Sequence, residues 1–134
     1  GLRLHREAIE SQDPVAIAAA VGGFEIVTMA GFMLGAAEAR LPVVVDGFIA
    51  SSAALVARAI APTVLDYLIF SHFSAEPAHR AMLAALGAQA VLSLDMRLGE
   101  GSGSAMLMPI LDTAVALYVE MATFQEAMVS GQRP

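Results

Sequence analysis

Residues 90–104, which read AVLSLDMRLGEGSGS, decide how this chain is expected to fold. An apolar run over residues 90–94 leads into a turn that holds three glycines, Arg97 and Glu100. An apolar segment with helical spacing follows, from about residue 104 to residue 121. A strand, a tight glycine-rich turn and a helix in this order present backbone N–H groups to an anion. The stretch therefore predicts a βα unit whose turn binds a ligand and also carries an acid.

Two further βα units precede this one. Residues 42–47 (PVVVDG) and residues 67–70 (YLIF) contain the apolar runs that are typical of buried parallel strands. Helices are predicted after them over residues 49–61 and 76–86, and Gly87 is expected to end the second helix. Alternating strands and helices predict an α/β fold, a parallel sheet of βα units with right-handed crossovers that is Rossmann-like.

The chain is interpreted as part of one domain over residues 1–134, with the three βα units in residues 41–121. A helical segment over residues 13–40 precedes them. It begins with Asp13 as N-cap and Pro14 as first helical residue, and the glycine pair at residues 22–23 divides it into two helices. The first twelve residues are expected to be an exposed lead-in, and residues 122–134 a tail that frays at its end.

The composition is unusually apolar for a soluble chain of this length. Hydrophobic residues make up 57% and charged residues 15%, against a usual charged share of about a quarter. Such a chain either spans a membrane or buries much of its surface against a partner or a missing domain. The longest apolar stretch, residues 14–37, is interrupted by the glycine pair and by Glu25, so no membrane span is predicted. The chain does not begin with Met, and we expect it to be cut from a longer protein.

The charged and metal-binding residue types exclude several classes of function. The net charge is −6, there is no lysine, and the seven arginines are scattered, so nucleic-acid binding is not expected. The chain has no cysteine, which excludes disulfides and thiolate zinc sites and is compatible with a cytoplasmic location. Its three histidines do not have the spacing of metal ligands, so no metal site is predicted. No signal peptide is evident at the start.

Polar residues follow each of the three predicted strands. In open parallel sheets, ligands bind beyond the carboxyl ends of the strands, so these residues are expected on one rim. Asp46 could hold a ribose hydroxyl or cap the following helix, and Ser74 could donate its hydroxyl to a phosphate or a ribose. Arg97 could pair with Asp95 or clamp a phosphate. Glu100 could accept a proton from a ring nitrogen, or it could be a solvated capping residue.

The second rim segment, residues 71–74 (SHFS), leaves its histidine without an assigned role. Ser71 and His72 do not form a catalytic triad by spacing, and no nucleophile-elbow motif is present. His72 could simply end the strand, and His79 on the next helix is expected to be structural.

Several motifs, taken in order along the chain, resemble one family. Residues 96–103 (MRLGEGSG) resemble the C-terminal signature of the nicotinate-nucleotide–dimethylbenzimidazole phosphoribosyltransferases. Further motifs are similar to that family in the same order: residues 21–26 (VGGFEI), 42–49 (PVVVDGFI), 66–69 (DYLI), 71–72 (SH), 74–77 (SAEP) and 121–124 (MATF). Ordered motifs at consistent spacing are far more specific than one glycine turn.

The resemblance implies a reaction and roles for particular residues. The family moves the phosphoribosyl group of nicotinate mononucleotide onto 5,6-dimethylbenzimidazole, which yields α-ribazole 5′-phosphate and nicotinate, without a metal or redox cofactor. By resemblance, Glu100 is the base that takes the imidazole proton. Ser74, Arg97 and Gly99 match the family's phosphate contacts, with Gly101 letting the backbone turn close to the ligand. Asp46 matches a further active-site acid in the nucleotide site.

The resemblance covers only the later part of the family's proteins. It implies that an upstream part supplies a second glutamate, a phosphate-binding lysine and much of the base pocket, and that the enzyme is a homodimer. The isolated chain is expected to be inactive. Two alternatives stay open: a non-catalytic nucleotide-binding or self-assembling α/β module, and transfer to a different acceptor base.

Overall fold

The computed structural model describes residues 1–128 and has six α-helices and four β-strands within that range. In chain order these are α1 (Arg6–Glu10), α2 (Pro14–Val21), α3 (Phe24–Glu38), β1 (Val43–Val45), α4 (Phe48–Ile60), a 3-10 helix (Pro62–Tyr67), β2 (Leu68–Phe70), β3 (His72–Ser74), α5 (His79–Leu86), β4 (Leu92–Met96) and α6 (Ser102–Glu120). The predicted frayed end, residues 130–134, lies outside the described residues. The lead-in contains one short exposed helix, α1, which the sequence did not predict.

The α/β fold with parallel strands is confirmed. β1 pairs in parallel with β2, and β3 pairs in parallel with β4. Ser71 joins the two pairs, because its N–H donates to the Val45 carbonyl at 2.8 Å and its own carbonyl accepts from the Leu92 N–H at 2.9 Å. One extended segment therefore bonds to β1 along its first half and to β4 along its second half.

The prediction of a rim loop at residues 71–74 was wrong, because His72–Ser74 forms β3. β1 ends at Val45, so the central segment loses its first partner at that point and pairs with β4 instead. β4 is also displaced from the predicted range of residues 90–94. Its pairing with β3 is irregular around Asp95, which has a φ of 50°, and this irregularity carries the strand on to Met96.

Helix α4 lies at the centre of the hydrophobic core. Its inward face carries Ala53, Ala54 and Ala57, all fully buried, and these small side chains allow α3 and α5 to pack closely. Removing such apolar surface from water contributes roughly 25 cal/mol per Å². The larger core side chains come from the surrounding elements: Met33, Val45, Val64, Leu68, Phe70, Leu83 and Leu86.

The helix boundaries follow local capping. The Asp13 side chain accepts a hydrogen bond from the Val15 N–H at 2.9 Å, as its predicted N-cap role requires. Gly87 ends α5 in the left-handed conformation with a φ of 68°, which a residue without Cβ adopts at little cost. α5 begins at His79 rather than near Glu76, because residues 76–78 form a turn instead of the first helical turn.

Helix α6 is almost wholly exposed. Within residues 102–120, only Gly103 and Leu107 are buried, whereas many of its large apolar side chains face outward: Met106, Met108, Ile110, Val115, Leu117, Tyr118 and Val119. By length and composition alone this helix could cross a membrane, since its mean hydropathy is 1.4 and 11% of its apolar window is buried. A helix that packs against another part of a protein has the same composition, and Pro109 and Asp112 lie within it.

Candidate active site

One cleft opens beyond the carboxyl ends of the strands and has a volume of about 610 Å³. The ends of β1, β3 and β4 deliver Asp46, Ser74 and Arg97 there, because parallel strands end on the same edge of a sheet. All six residues that the sequence singled out line it: Asp46, Ser74, Arg97, Gly99, Glu100 and Gly101. The remaining wall comes from Met29, Gly47, Phe48, Ile49, Ala50, His72 and Glu76.

Asp46 caps helix α6 across the fold. Its Oδ2 accepts a hydrogen bond from the Gly101 N–H at 3.2 Å, and its Oδ1 accepts one from the Ser104 N–H at 3.1 Å. The sequence offered a cap of the following helix as one role, but α4 begins at Phe48 after the N-cap residue Gly47, and no side chain caps that helix. The anion at the N-terminus of α6 is therefore the protein's own carboxylate, and these two amides are occupied before any ligand arrives.

The glycine turn places Glu100 at the mouth of the cleft. Gly99, Glu100 and Gly101 all have positive φ values, of 78°, 54° and 76°, and the Ser102 N–H closes the turn on the Gly99 carbonyl at 3.0 Å. Glycine adopts this conformation readily, whereas a residue with a Cβ does so at a cost of about 1–2 kcal/mol. The turn thus holds an exposed carboxylate in a backbone conformation that its neighbours must stabilise.

Arg97 is exposed and faces the cleft without an ion-pair partner in the described part of the chain. The alternative pairing with Asp95 does not form among those residues. Its guanidinium therefore keeps its five N–H donors for a ligand, and planar donors of this kind suit the oxygens of a phosphate.

Ser74 is held by a buried histidine that the sequence did not connect with it. The Ser74 N–H donates to Nδ1 of His79 at 2.8 Å, so the ring proton lies on Nε2 and is donated to Oγ of Ser51 at 2.9 Å. Burial lowers the pKa of His79 below its ordinary value of 6.5, and the nearby His72 lowers it further. The Ser74 hydroxyl accepts from the Glu76 N–H at 3.3 Å, which leaves its own hydrogen for an acceptor in the cleft.

His72 is buried between two glycines. A Cβ at Gly103 would overlap its ring, and a Cβ at Gly47 would lie 3.2 Å from its Cε1 atom. The Ser71 hydroxyl donates to the Asp46 carbonyl at 2.9 Å, so it accepts the Nδ1–H of His72 at 3.0 Å. No periodicity or spacing in the sequence indicates this contact, because the two glycines are brought together only by the fold.

The charges on the cleft wall are mostly negative. Among the lining residues, Arg97 is the one group with a permanent positive charge, and it shares the cleft wall with the three carboxylates of Asp46, Glu76 and Glu100. Within residues 1–128, no cluster of three or more histidine or carboxylate side chains could hold a metal ion.

Comparison with known proteins assigns this arrangement to a class. A family model described as phosphoribosyltransferase matches residues 1–129. The chain is 58% identical over 117 residues to the nicotinate-nucleotide–dimethylbenzimidazole phosphoribosyltransferase of Chlorobium chlorochromatii, which covers 87% of this chain and 33% of that protein. It is 49% identical over 130 residues to the enzyme of the same name from Solidesulfovibrio magneticus, which covers 97% of this chain and 37% of that protein.

A solved structure agrees with these relatives. The crystal structure of the same-named enzyme from Thermus thermophilus superposes with a TM-score of 0.82 at 49% identity and covers 89% of this chain and 36% of that chain. The chain belongs to the nicotinate-nucleotide–dimethylbenzimidazole phosphoribosyltransferase family. It spans about a third of the length of the curated relatives that it matches.

Proposed function

We propose that the protein containing this chain transfers the phosphoribosyl group of nicotinate mononucleotide to 5,6-dimethylbenzimidazole, giving α-ribazole 5′-phosphate and nicotinate. One observation carries the proposal beyond family membership. Glu100, a candidate base, lines the same cleft as Ser74, Arg97 and Gly99, which are candidate phosphate ligands. A base and a phosphate site in one cleft are what this transfer requires.

The proposed chemistry needs one protein group to move a proton. A ring nitrogen of the acceptor attacks the anomeric carbon, and the bond from that carbon to the nicotinate ring nitrogen breaks. Its electron pair stays on the nicotinate nitrogen, which loses its positive charge, so the leaving group needs no acid. The acceptor's second nitrogen becomes acidic as the new bond forms, and the Glu100 carboxylate accepts its proton. Glu100 is exposed at the mouth of the cleft, where an incoming base can reach it.

We propose that the 5′-phosphate binds between the glycine turn and the end of β3. Arg97 supplies a charged donor, and Ser74 supplies the hydroxyl hydrogen that its contact with Glu76 leaves free. The N–H groups of Gly99 and Glu100 have no acceptor among residues 1–128 and complete the donor set. Gly101 contributes by its left-handed backbone rather than its amide, because Asp46 accepts that hydrogen bond.

The remaining two thirds of the protein complete the site in this proposal. One arginine against three carboxylates leaves the net charge of the cleft wall negative, so a phosphate needs further cations from outside this chain. We propose that the same upstream part covers the apolar face of α6, since a face that apolar is stable in water only when it is buried. The homodimer and the cytoplasmic location stay predictions.

The central test is Glu100→Gln in the full-length protein. The amide has the shape of the carboxylate but cannot accept the proton, so we expect nicotinate release to slow by about 100- to 10,000-fold. Calorimetric affinity for nicotinate mononucleotide should change less than about threefold. Glu76→Gln is the matched control, because Glu76 is also an exposed carboxylate on the cleft wall. We expect it to retain turnover within a few-fold of the wild-type rate.

The outcomes separate the alternatives. Full turnover in Glu100→Gln would remove Glu100 as the base. A wild-type protein that binds the nucleotide without releasing nicotinate would be a non-catalytic nucleotide-binding module. Release that requires an acceptor other than 5,6-dimethylbenzimidazole, in a panel of bases, would reassign the substrate. The isolated chain, incubated with both substrates, should release no nicotinate.

A further inference from the structure

We infer that Asp46 is a positioning residue for the transfer, because its carboxylate binds the amides of Gly101 and Ser104 and so fixes the turn that carries Glu100. This inference rests on the proposed function, in which Glu100 is the base. It departs from the sequence-based expectation that Asp46 contacts the nucleotide.

The geometry is that of an N-cap supplied by a distant element. Gly101 occupies the N-cap position of α6 but has no side chain with which to cap the helix. Asp46, 55 residues earlier in the chain, accepts from the Gly101 N–H and the Ser104 N–H at 3.2 Å and 3.1 Å. Because Glu100 directly precedes Gly101, the Glu100 backbone is one peptide bond away from an amide held by this carboxylate.

The turn needs such a hold. Three consecutive residues, Gly99 to Gly101, are in the left-handed region, and Glu100 pays a steric cost there because it has a Cβ. A free turn of this kind would populate other conformations, in which the Glu100 carboxylate points away from the acceptor. The Asp46 hydrogen bonds favour the one conformation in which α6 begins at Ser102 and Glu100 faces the cleft.

The position of Asp46 is itself fixed by contacts with Ser71 and His72. Its backbone carbonyl accepts from the Ser71 hydroxyl at 2.9 Å, and Nδ1 of His72 lies 3.9 Å from its Oδ1. The His72 ring packs directly against the backbone of Gly103 in the first turn of α6. Strand end, histidine and helix start therefore form one buried unit, and the Asp46 side chain within it is 17% exposed.

The test is Asp46→Asn in the full-length protein. Asparagine is nearly isosteric and can accept at one amide but not at both, so the turn should loosen while the fold is retained. We expect kcat to fall about 10- to 100-fold and KM for nicotinate mononucleotide to stay within about threefold. In a Glu100→Gln background the same substitution should lower kcat less than about threefold further, because the group it positions is already gone.

A second measurement does not depend on activity. Hydrogen exchange of the peptide covering residues 99–105 should accelerate at least tenfold in Asp46→Asn, since two amides lose their acceptor or share one. Asp13→Asn is the matched control, because Asp13 also caps a helix through a backbone amide but lies far along the chain from the cleft residues. It should leave both kcat and exchange of that peptide unchanged.

Several results would overturn the inference. A rise in KM with unchanged kcat would make Asp46 a nucleotide ligand, and unchanged kcat with a lower melting temperature would make it only structural. Unchanged hydrogen exchange of residues 99–105 in Asp46→Asn would show that Asp46 does not stabilise the turn, and this outcome would refute the inference even if the wild-type protein lacked transferase activity. Should Asp46→Asn fail to fold, Ser71→Ala is the second variant, because it removes the hydrogen bond from the Ser71 hydroxyl to the Asp46 carbonyl. We expect it to lower kcat several-fold with KM unchanged.

Discussion

His79 offers the sharpest test of how the site is held together. The change is His79→Leu in the full-length protein, which roughly fills the volume of the ring but removes both ring nitrogens. The Ser74 N–H and the Ser51 hydroxyl, each paired with the ring and each buried, then lose their partner. A buried polar group left without a partner costs about 1–3 kcal/mol. Two such groups predict a loss of roughly 2–6 kcal/mol in the free energy of unfolding.

A double-mutant cycle can measure the coupling energy between Ser51 and His79 directly. Ser51→Ala alone leaves the Nε2–H of His79 unpaired and should cost about 1–3 kcal/mol. Added to His79→Leu, it removes a hydroxyl that already lacks its partner, so its further cost should be close to zero. The cycle therefore predicts a coupling energy of about 1–3 kcal/mol between residues 51 and 79, which equals the cost of Ser51→Ala in the otherwise unchanged protein.

The assay is chemical denaturation of the four proteins, followed by fluorescence or circular dichroism, with His5→Leu as the control. His5 makes no side-chain cap hydrogen bond at the start of α1, and its substitution should change the free energy of unfolding by less than about 0.5 kcal/mol. Strictly additive effects of the Ser51 and His79 substitutions would refute the assigned hydrogen bonds. In the proposed site, where Ser74 binds the phosphate, His79→Leu should also weaken the affinity for nicotinate mononucleotide; an unchanged affinity would count against that role of Ser74.

Two other predictions follow from the same structure. Burial lowers the pKa of His79 below 6.5, so the folded protein binds this proton more weakly than the unfolded chain does. The free energy of unfolding should therefore have its full value above pH 6.5 and fall as the pH drops below 6.5, as denaturation at a series of pH values would show. This dependence on pH should be weaker in His79→Leu. Gly103→Ala forces a Cβ into the His72 ring and should lower the free energy of unfolding by about 1–3 kcal/mol, with a loss of turnover. In the control Gly87→Ala the new Cβ meets no atom, and the loss should be about 1 kcal/mol because of the positive φ alone. Equal effects of the two substitutions on turnover would contradict the His72 contact.

Local patterns in the sequence predicted much of the fold. Asp13 with Pro14 marked the start of α2, Gly87 marked the end of α5, and the apolar run before Asp46 marked β1, because each signal acts within a few residues. The second half of the central extended segment was missed. Residues 71–74 are polar enough to suggest a loop, and only the presence of β4 alongside makes them a strand.

The sequence predicted which residues line the candidate site, but it did not predict the contacts that these residues make. Strand-end logic and the family resemblance brought Asp46, Ser74, Arg97 and Glu100 to one rim, and the structure places them around one cleft. Their catalytic and binding roles stay predictions. The sequence could not indicate that Asp46 binds the amides of α6, or that His79 holds Ser74, because these partners depend on tertiary packing rather than on spacing.

The packing of His72 against Gly103 also has an evolutionary consequence. The two positions share one volume, so a side chain at position 103 fits only where position 72 carries something smaller than an imidazole ring. Substitutions at these positions are therefore expected to occur as a pair across relatives, with the smaller residue at position 72 arising first. A lineage that acquired alanine at position 103 while keeping the histidine would have to move the start of α6, and with it Glu100 in the turn that precedes this helix.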